Sequence, residues 1–101
     1  MCSCERLNLK EEVPDCIEDK IREFSNSDQV CDHVANVYRY IFQGKYVYVF
    51  DPGNCYADAI APVYDENCNL LCGLGGFLGN TKCNDIEFGD NIKDKTLIWE
   101  N

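Results

Sequence analysis

Residues 36–50, with the sequence NVYRYIFQGKYVYVF, constrain the fold of this chain more than any other stretch. Two runs rich in β-branched and aromatic residues flank Gln43-Gly44-Lys45. Such side chains suit the pleated, half-buried surface of a sheet, and a glycine between two such runs is typical of a β-hairpin. The stretch therefore predicts a pair of antiparallel strands around which the rest of the fold is organised.

Cysteine content is the second constraint. The chain has 8 cysteines in 101 residues, a density that is rare in the reducing cytosol and common in small exported domains. Cys2 and Cys4, like Cys68 and Cys72, lack the Cys-x-x-Cys spacing of common zinc sites, and the single histidine, His33, has no partner at ligand spacing. We therefore expect disulfides, an extracytoplasmic location, and neither a metal nor a cofactor. A small metal-binding protein that uses those four cysteines is an alternative.

Charge and length limit the classes of partner. The formal net charge is −9, so a nucleic-acid backbone or an anionic membrane surface would repel the chain. No run approaches the roughly 18 apolar residues that cross a bilayer as a helix. No acid–base pair or nucleophile stands out, and disulfide bonding would remove the thiol that a Cys–His mechanism needs. We therefore expect a protein that is not an enzyme and whose partner is an unknown protein.

The first twelve residues are polar and without periodicity, so they predict a flexible N-terminal tether, followed by a single domain over residues 13–101. Within the tether, Ser3 directly precedes Cys4, which resembles the end of a bacterial lipoprotein signal. This resemblance implies that Cys4, or alternatively Cys2, carries a lipid that tethers the protein to a membrane in the periplasm or at the cell surface. If Cys2 leaves with the signal, an even six cysteines remain beyond Cys4.

One helix is predicted over residues 13–24. Val13, Ile17, Ile21 and Phe24 recur at helical spacing and form one apolar stripe, while Pro14 is tolerated in a first turn. A helix with a four-residue stripe can cover one face of a sheet.

A further strand is predicted within residues 56–64, and others at residues 70–72 and 96–99, the last of which carries Trp99 as a core anchor. Residues 73–79 form a glycine loop that needs positive φ, and Pro62 indicates an edge or irregular position. These elements predict an α+β fold in which the N-terminal helix packs on a four- to five-stranded antiparallel sheet, with Greek-key or meander connections.

Disulfide connectivity is predicted from nearest-neighbour pairing, because short loops close most readily. Six cysteines allow 15 pairings. The predicted bonds are Cys16–Cys31, Cys55–Cys68 and Cys72–Cys83.

A binding surface is predicted from the register of the β-hairpin. A two-residue turn at Gln43-Gly44 or Gly44-Lys45 sorts its side chains onto two faces. One face is purely apolar and aromatic: Tyr38, Tyr40, Phe42, Val47 and Val49. The other also contains a cation: Val37, Arg39, Ile41, Tyr46, Tyr48 and Phe50.

Burying Arg39 without a partner would be costly, so we expect the helix on the purely apolar face. Arg39, Tyr46 and Tyr48 would then form an open surface with the residue types of binding hot spots, and we predict that it docks the partner. The alternative is that a crossing loop or the C-terminal segment with Trp99 covers this face.

Three segments resemble a family of small uncharacterised bacterial exported domains, often lipoproteins. They are residues 64–72, YDENCNLLC; residues 74–83, LGGFLGNTKC; and residues 97–101, LIWEN. The helix and hairpin fit the same pattern, so the resemblance covers roughly residues 13–101. It implies an exported compartment and this type of fold, and it carries no activity.

The predicted function is that of a non-catalytic, lipid-anchored binding or structural module, acting as a monomer outside the cytoplasm. A second interpretation is an inhibitor of an exported enzyme, in which the glycine loop at residues 73–79 enters the active site. A third is the cysteine-based metal-binding protein described above.

Overall fold

The computed structural model of the chain describes residues 9–27, 30–31, 34–53, 59–76 and 78–101. Its elements follow the chain in the order α1 (Asp15–Ser25), β1 (Asn36–Phe42), β2 (Lys45–Asp51), β3 (Ile60–Asp65), β4 (Leu70–Gly75), β5 (Lys82–Cys83), β6 (Ile86–Glu87) and β7 (Ile92–Glu100). Five strands form one antiparallel sheet in the order β4-β3-β2-β1-β7. The predicted α+β fold, with an N-proximal helix and a five-stranded antiparallel sheet, is confirmed.

The central hairpin forms because its turn residues tolerate positive φ. Gln43 and Gly44 have φ of 57° and 76°, which matches the two-residue turn whose twist suits a hairpin. Phe42 pairs with Lys45, and the ladder continues to the pair of Asn36 and Asp51. The sequence-based sorting of side chains onto two faces is therefore correct. β1 to β4 form a meander, and β7 returns to pair with β1, which gives the sheet a Greek-key connection.

Helix α1 covers the face that contains Val37, Tyr48 and Phe50, which we call the helix face. Pro14 is extended, with φ −58° and ψ 151°, so the helix begins at Asp15, two residues after the predicted start at Val13. The predicted stripe is correct, since Ile17 and Ile21 are fully buried. The resulting helix-side cluster consists of Ile17, Ile21, Ala35, Val37, Tyr48, Phe50, Ile98 and Trp99.

The opposite face, which we call the hairpin face, is covered by the short β5–β6 hairpin. Its turn residues Asn84 and Asp85 both have positive φ, as the central hairpin's do. The hairpin-side cluster consists of Phe42, Val47, Val49, Val63, Cys83 and Phe88. Strand β7, at Ile92–Glu100, is longer than the predicted strand at residues 96–99, and β6 was not predicted.

Two disulfides hold these covers to the sheet. Cys72–Cys83, as predicted, joins β4 to β5 with a Cα–Cα distance of 5.2 Å. Cys16 bonds to Cys68 in the β3–β4 turn, at 6.2 Å, so the predictions of Cys16–Cys31 and Cys55–Cys68 are wrong. Nearest-neighbour pairing fails here because α1 lies across the sheet, which brings its first turn to a residue 52 positions away.

Cys31 takes part in a further disulfide. The other four described cysteines pair with one another, so the partner of Cys31 lies outside the described residues. Cys2, Cys4 and Cys55 also lie outside them.

The predicted tether needs correction at its described end. The backbone N–H of Lys10 donates to the carbonyl of Ile98 at 2.8 Å, and Leu9 packs against the helix-side cluster. Residues 9 and 10 are thus part of the fold, because they cap the outer edge of β7 with a hydrogen bond and add apolar area to the core.

Strand β3 begins at Ile60, inside the region predicted to contain a strand, and its Pro62 pairs with Gly73 of β4 but lies beyond the end of the pairing with β2. The β2–β3 pairing runs from Val47↔Asp65 to Val49↔Val63 and does not reach Pro62. A proline has no N–H to donate, so this irregular position, as predicted, suits it. No helix in the described part of the chain is long and apolar enough to cross a membrane.

Candidate binding site

Neither of the two covering elements, α1 and the β5–β6 hairpin, extends over the whole face of the sheet that it packs on. The helix-side cluster reaches Tyr48 but includes neither Ile41 nor Tyr46, which lie on the same face nearer the Gln43-Gly44 turn. Arg39 and Ile41 are partly exposed, and Tyr46 is 40% exposed. We call Arg39, Ile41 and Tyr46 the turn-end surface.

Arg39 and Tyr46 are in contact on this surface. Register places Arg39 opposite Tyr48 and Ile41 opposite Tyr46, so the Arg39 side chain can lean along the face toward the Tyr46 ring. The guanidinium carbon of Arg39 lies 4.6 Å from the centre of that ring. A planar cation at this distance is attracted to the negative face of the ring. Two of the three residues predicted to bind a partner are therefore brought together at the surface.

Tyr48, the third residue of the predicted site, is 1% exposed and belongs to the helix-side cluster. The prediction that Tyr48 is open to a partner is wrong, and so is the placement of the helix on the Tyr38 face. A helix on the face of Arg39 does not bury this side chain completely. The helix instead packs toward Val37 and Phe50, so Arg39 stays at the margin of the covered area.

The Tyr48 hydroxyl still belongs to the electrostatic environment of the turn-end surface. Burial raises the pKa of this phenol above its ordinary value of 10.0, and the nearby positive charge of Arg39 lowers it in part. Glu66 and Tyr46 act in the same direction as burial. The positive charge of Arg39 thus affects the pKa of Tyr48, a side chain that the core holds in place.

The glycine loop has the backbone that its sequence predicts. Gly75, Gly76 and Gly79 all have positive φ, and Cys72–Cys83 joins the two sides of the loop. The side-chain amide of Asn80 donates to the carbonyls of Gly73 and Lys82, at 2.7 and 2.8 Å. The loop therefore has a fixed base, from which Leu78 projects with 90% of its surface exposed. Phe77 lies outside the described residues.

Two of the four cysteines of the metal-binding interpretation, Cys68 and Cys72, are described, whereas Cys2 and Cys4 lie outside the described residues. Cys68 and Cys72 each form a disulfide, and zinc binding requires thiolates. Within the described ranges, no three His, Cys, Asp or Glu residues are grouped as a metal site would need. Asp65 is occupied by the turn itself, because its carboxylate accepts hydrogen bonds from the backbone N–H groups of Asn67 and Asn69 and from the Asn69 amide. These bonds, chiefly from the Asn69 backbone, lower the pKa of Asp65. His33 lies outside the described residues.

The structure also has a groove that was not predicted from the sequence. This groove of about 310 Å³ lies between α1 and strands β2 and β3, with walls formed by Phe24, Phe50, Pro62 and Tyr64. The amine of Lys20 lies 4.4 Å from the centre of the Tyr64 ring. The available signal was the i, i+4 spacing of Lys20 and Phe24 on the helix, but their meeting with Pro62 depends on the tertiary fold.

A family model describes most of this chain. The model of a domain of unknown function, DUF6970, matches residues 23–101. The chain belongs to the DUF6970 family. The match includes the whole sheet and the turn-end surface, and it begins near the end of α1, so Cys16 lies before it. No curated protein and no solved structure matches the chain. Membership in DUF6970 therefore identifies the domain without assigning it an activity.

Proposed function

We propose that this DUF6970 protein is a non-catalytic binding module that acts outside the cytoplasm and docks a protein partner through its turn-end surface. The observation that carries the proposal is the contact of Arg39 with Tyr46 on a part of the sheet that α1 leaves open. Aromatic and arginine side chains dominate the binding energy of protein interfaces. A pair that is already stacked needs little ordering when a partner arrives.

An oxidising compartment is favoured by the cysteine chemistry. All described cysteines are disulfide-bonded, and such bonds persist outside the cytoplasm. We propose that the protein is a monomer tethered by a lipid on Cys4, or alternatively on Cys2. The test is intact mass spectrometry of the protein isolated from its native cells and treated with an alkylating reagent. A lipid adds its own mass, and each free thiol gains an alkyl group. Without prior reduction we expect lipid mass and no alkylation, and an unlipidated, fully alkylated chain would contradict the proposal.

The docking proposal is tested by photo-crosslinking from two positions. A photoreactive phenylalanine analogue replaces Tyr46 in one variant and Lys82, which is exposed on the β5–β6 hairpin, in the other. Both variants are expressed in the native cells and irradiated. We expect one defined crosslinked product from position 46 and none from position 82. The same product from both positions, or none from position 46, would contradict docking at this surface.

Inhibition of an exported enzyme is the second candidate, and it is favoured by the 90% exposure of Leu78 on a loop with a disulfide at its base. An exposed apolar side chain on a pinned loop can enter a pocket at low entropic cost. The test is to assay exported proteases and hydrolases with the protein and with Leu78→Asp. Inhibition by the parent chain that Leu78→Asp loses would favour this function over docking at Arg39 and Tyr46.

A further inference from the structure

No carboxylate among the described residues neutralises the positive charge of Arg39. The ion pair between Arg22 and Glu18, at 3.5 Å, is the one pair within 4.0 Å among the described residues, so no described carboxylate contacts Arg39. The Nε of Arg39 is moreover buried without a hydrogen-bond partner, and it is the one side-chain nitrogen or oxygen in the described ranges of which this is true. A buried donor without an acceptor is costly, so this side chain is poorly satisfied in the isolated chain.

The guanidinium is nevertheless held in position. Stacking on Tyr46 restrains it on one side, and Tyr48, the register partner of Arg39 in the neighbouring strand, is fixed by the core. A restrained arginine loses less rotamer freedom when it binds than a flexible surface lysine does. The arrangement is therefore one that favours recognition of a ligand.

The neighbouring residues indicate the chemistry of that ligand. Lys93 in β7 lies opposite Ile41 and on the same face, so a second, exposed cation adjoins the surface. Ile41 and the Tyr46 ring provide apolar area beside the two charges. A guanidinium presents its N–H groups in a fork that matches a carboxylate, and nearby apolar contacts suit a carboxylate carried by a protein.

The net charge of the chain disfavours the other anions. At −9 the protein strongly repels polyanions such as nucleic acids and anionic bilayers, whereas it repels a single carboxylate on a protein partner much less, because that group carries one charge.

We propose that Arg39, stacked on Tyr46 and assisted by Lys93, binds a carboxylate presented by the protein partner. This inference rests on the docking function proposed above and names the chemical group that the surface recognises.

The test uses two small probes that differ in charge only. N-acetylphenylalanine carries a carboxylate beside an apolar ring, and N-acetylphenylalaninamide is its neutral counterpart. Each is titrated into the isotope-labelled full chain with its disulfides intact, and amide chemical shifts are recorded. We expect shifts at residues 39, 41, 46 and 93, with the carboxylate probe binding about tenfold more tightly than the amide, as a charge-assisted hydrogen bond implies.

Variants assign the effect to the guanidinium. Arg39→Gln should abolish the difference between the two probes, while Arg22→Gln, which removes an equal charge from the helix, should leave it unchanged. Tyr46→Leu keeps the charge and removes the stacking ring, so it should weaken the carboxylate probe only in part. Because Tyr46 is exposed, this variant also serves if Arg39→Gln does not fold.

Three outcomes would overturn the inference: equal binding of both probes, no shifts at these four residues at the highest soluble concentration, or displacement of the carboxylate by an equal concentration of inorganic phosphate. The last would make the site a general anion site. These results are independent of the crosslinking test, since they need no partner. A crosslink at position 46 that persists in Arg39→Gln, with no binding of the carboxylate probe, would retain the docking function and refute this inference.

Discussion

The helix face and the hairpin face belong to one sheet, but they are covered by elements of different size and origin. An 11-residue helix from before the sheet covers the first, and two 2-residue strands inserted between β4 and β7 cover the second. Each cover packs at one end of its face. At the other end, a cation lies over a tyrosine ring: Arg39 over Tyr46 on the helix face, and Lys95 over Tyr38 at 4.5 Å on the hairpin face.

The difference shows why each cover has its own disulfide. A small domain buries a limited core, and neither a three-turn helix nor a minimal hairpin is stable alone. Cys16–Cys68 joins positions 52 apart, whereas Cys72–Cys83 joins positions 11 apart. Without its disulfide, α1 would therefore lose its position on the sheet more readily than the β5–β6 hairpin would.

Removing the disulfides one at a time should give the largest effects. In the chain-entropy model, the loop closed by Cys16–Cys68 contributes about 4 kcal/mol and that closed by Cys72–Cys83 about 3 kcal/mol. We expect Cys16→Ala/Cys68→Ala to lower the free energy of unfolding by more than Cys72→Ala/Cys83→Ala, as measured by denaturant unfolding. The reverse order would mean that the hairpin, not the helix, depends more on its bond.

Two tyrosines on one strand separate the covered and open ends of the helix face. Tyr48→Ala removes a fully buried ring and should cost about 3–5 kcal/mol of stability, the range for large core truncations. Tyr46→Ala removes a 40% exposed ring and a cation–π contact, so it should cost less than about 1 kcal/mol. Thermal unfolding of both variants provides the comparison. Similar losses would show that the turn end is as tightly packed as the core.

Local chemistry made much of this fold predictable. The hairpin register follows from Gln43-Gly44, the helix stripe from Ile17 and Ile21, and Cys72–Cys83 from short-range pairing. In each case the interaction involves residues close in sequence, where turn geometry and periodicity leave few alternatives.

The errors arise where distant segments meet. Whether α1 packs on the Tyr38 face or on the Tyr48 face depends on how the whole chain crosses the sheet, and both faces carry enough apolar area to accept it. Once the helix lies on the Tyr48 face, Cys16 reaches Cys68 rather than Cys31. Two of the three predicted site residues were correct for the same reason: Arg39 and Tyr46 are neighbours by register, whereas the burial of Tyr48 depends on the helix.

Deletions in the N-terminal segment test whether residues 9 and 10 contribute to the stability of the fold. Deleting residues 1–10 removes the Lys10 N–H···O bond to Ile98 and the packing of Leu9, while deleting residues 1–8 leaves both. We expect the longer deletion to be less stable than the shorter one by about 1–2 kcal/mol, from one hydrogen bond and one half-buried leucine. Equal thermal midpoints for the two chains would restore the view that everything before Val13 is a tether.

The smallest expected effect is on the pKa values of two tyrosines. Tyr48 belongs to the helix-side cluster, and Tyr40 packs against the hairpin-side cluster. Burial is the main cause that raises the pKa of both Tyr48 and Tyr40 above 10.0, but Arg39 opposes it for Tyr48, whereas Tyr38 and Asp51 add to it for Tyr40. A phenol with a raised pKa stabilises the fold below the unfolded value near 10, and this contribution is lost as pH rises through the folded value.

Arg39→Gln should therefore raise the pKa of Tyr48 further and leave that of Tyr40 unchanged. Tyrosine-selective NMR across the alkaline range follows each ring separately, and Tyr48→Phe and Tyr40→Phe assign the two titrations. The alkaline decline in stability should extend to higher pH in Arg39→Gln, because the folded state then retains the Tyr48 proton longer while the unfolded state does not. If the Tyr48 titration is unchanged in Arg39→Gln, the positive charge of Arg39 does not act on the Tyr48 hydroxyl. The turn-end surface would then not be coupled electrostatically to the helix-side cluster.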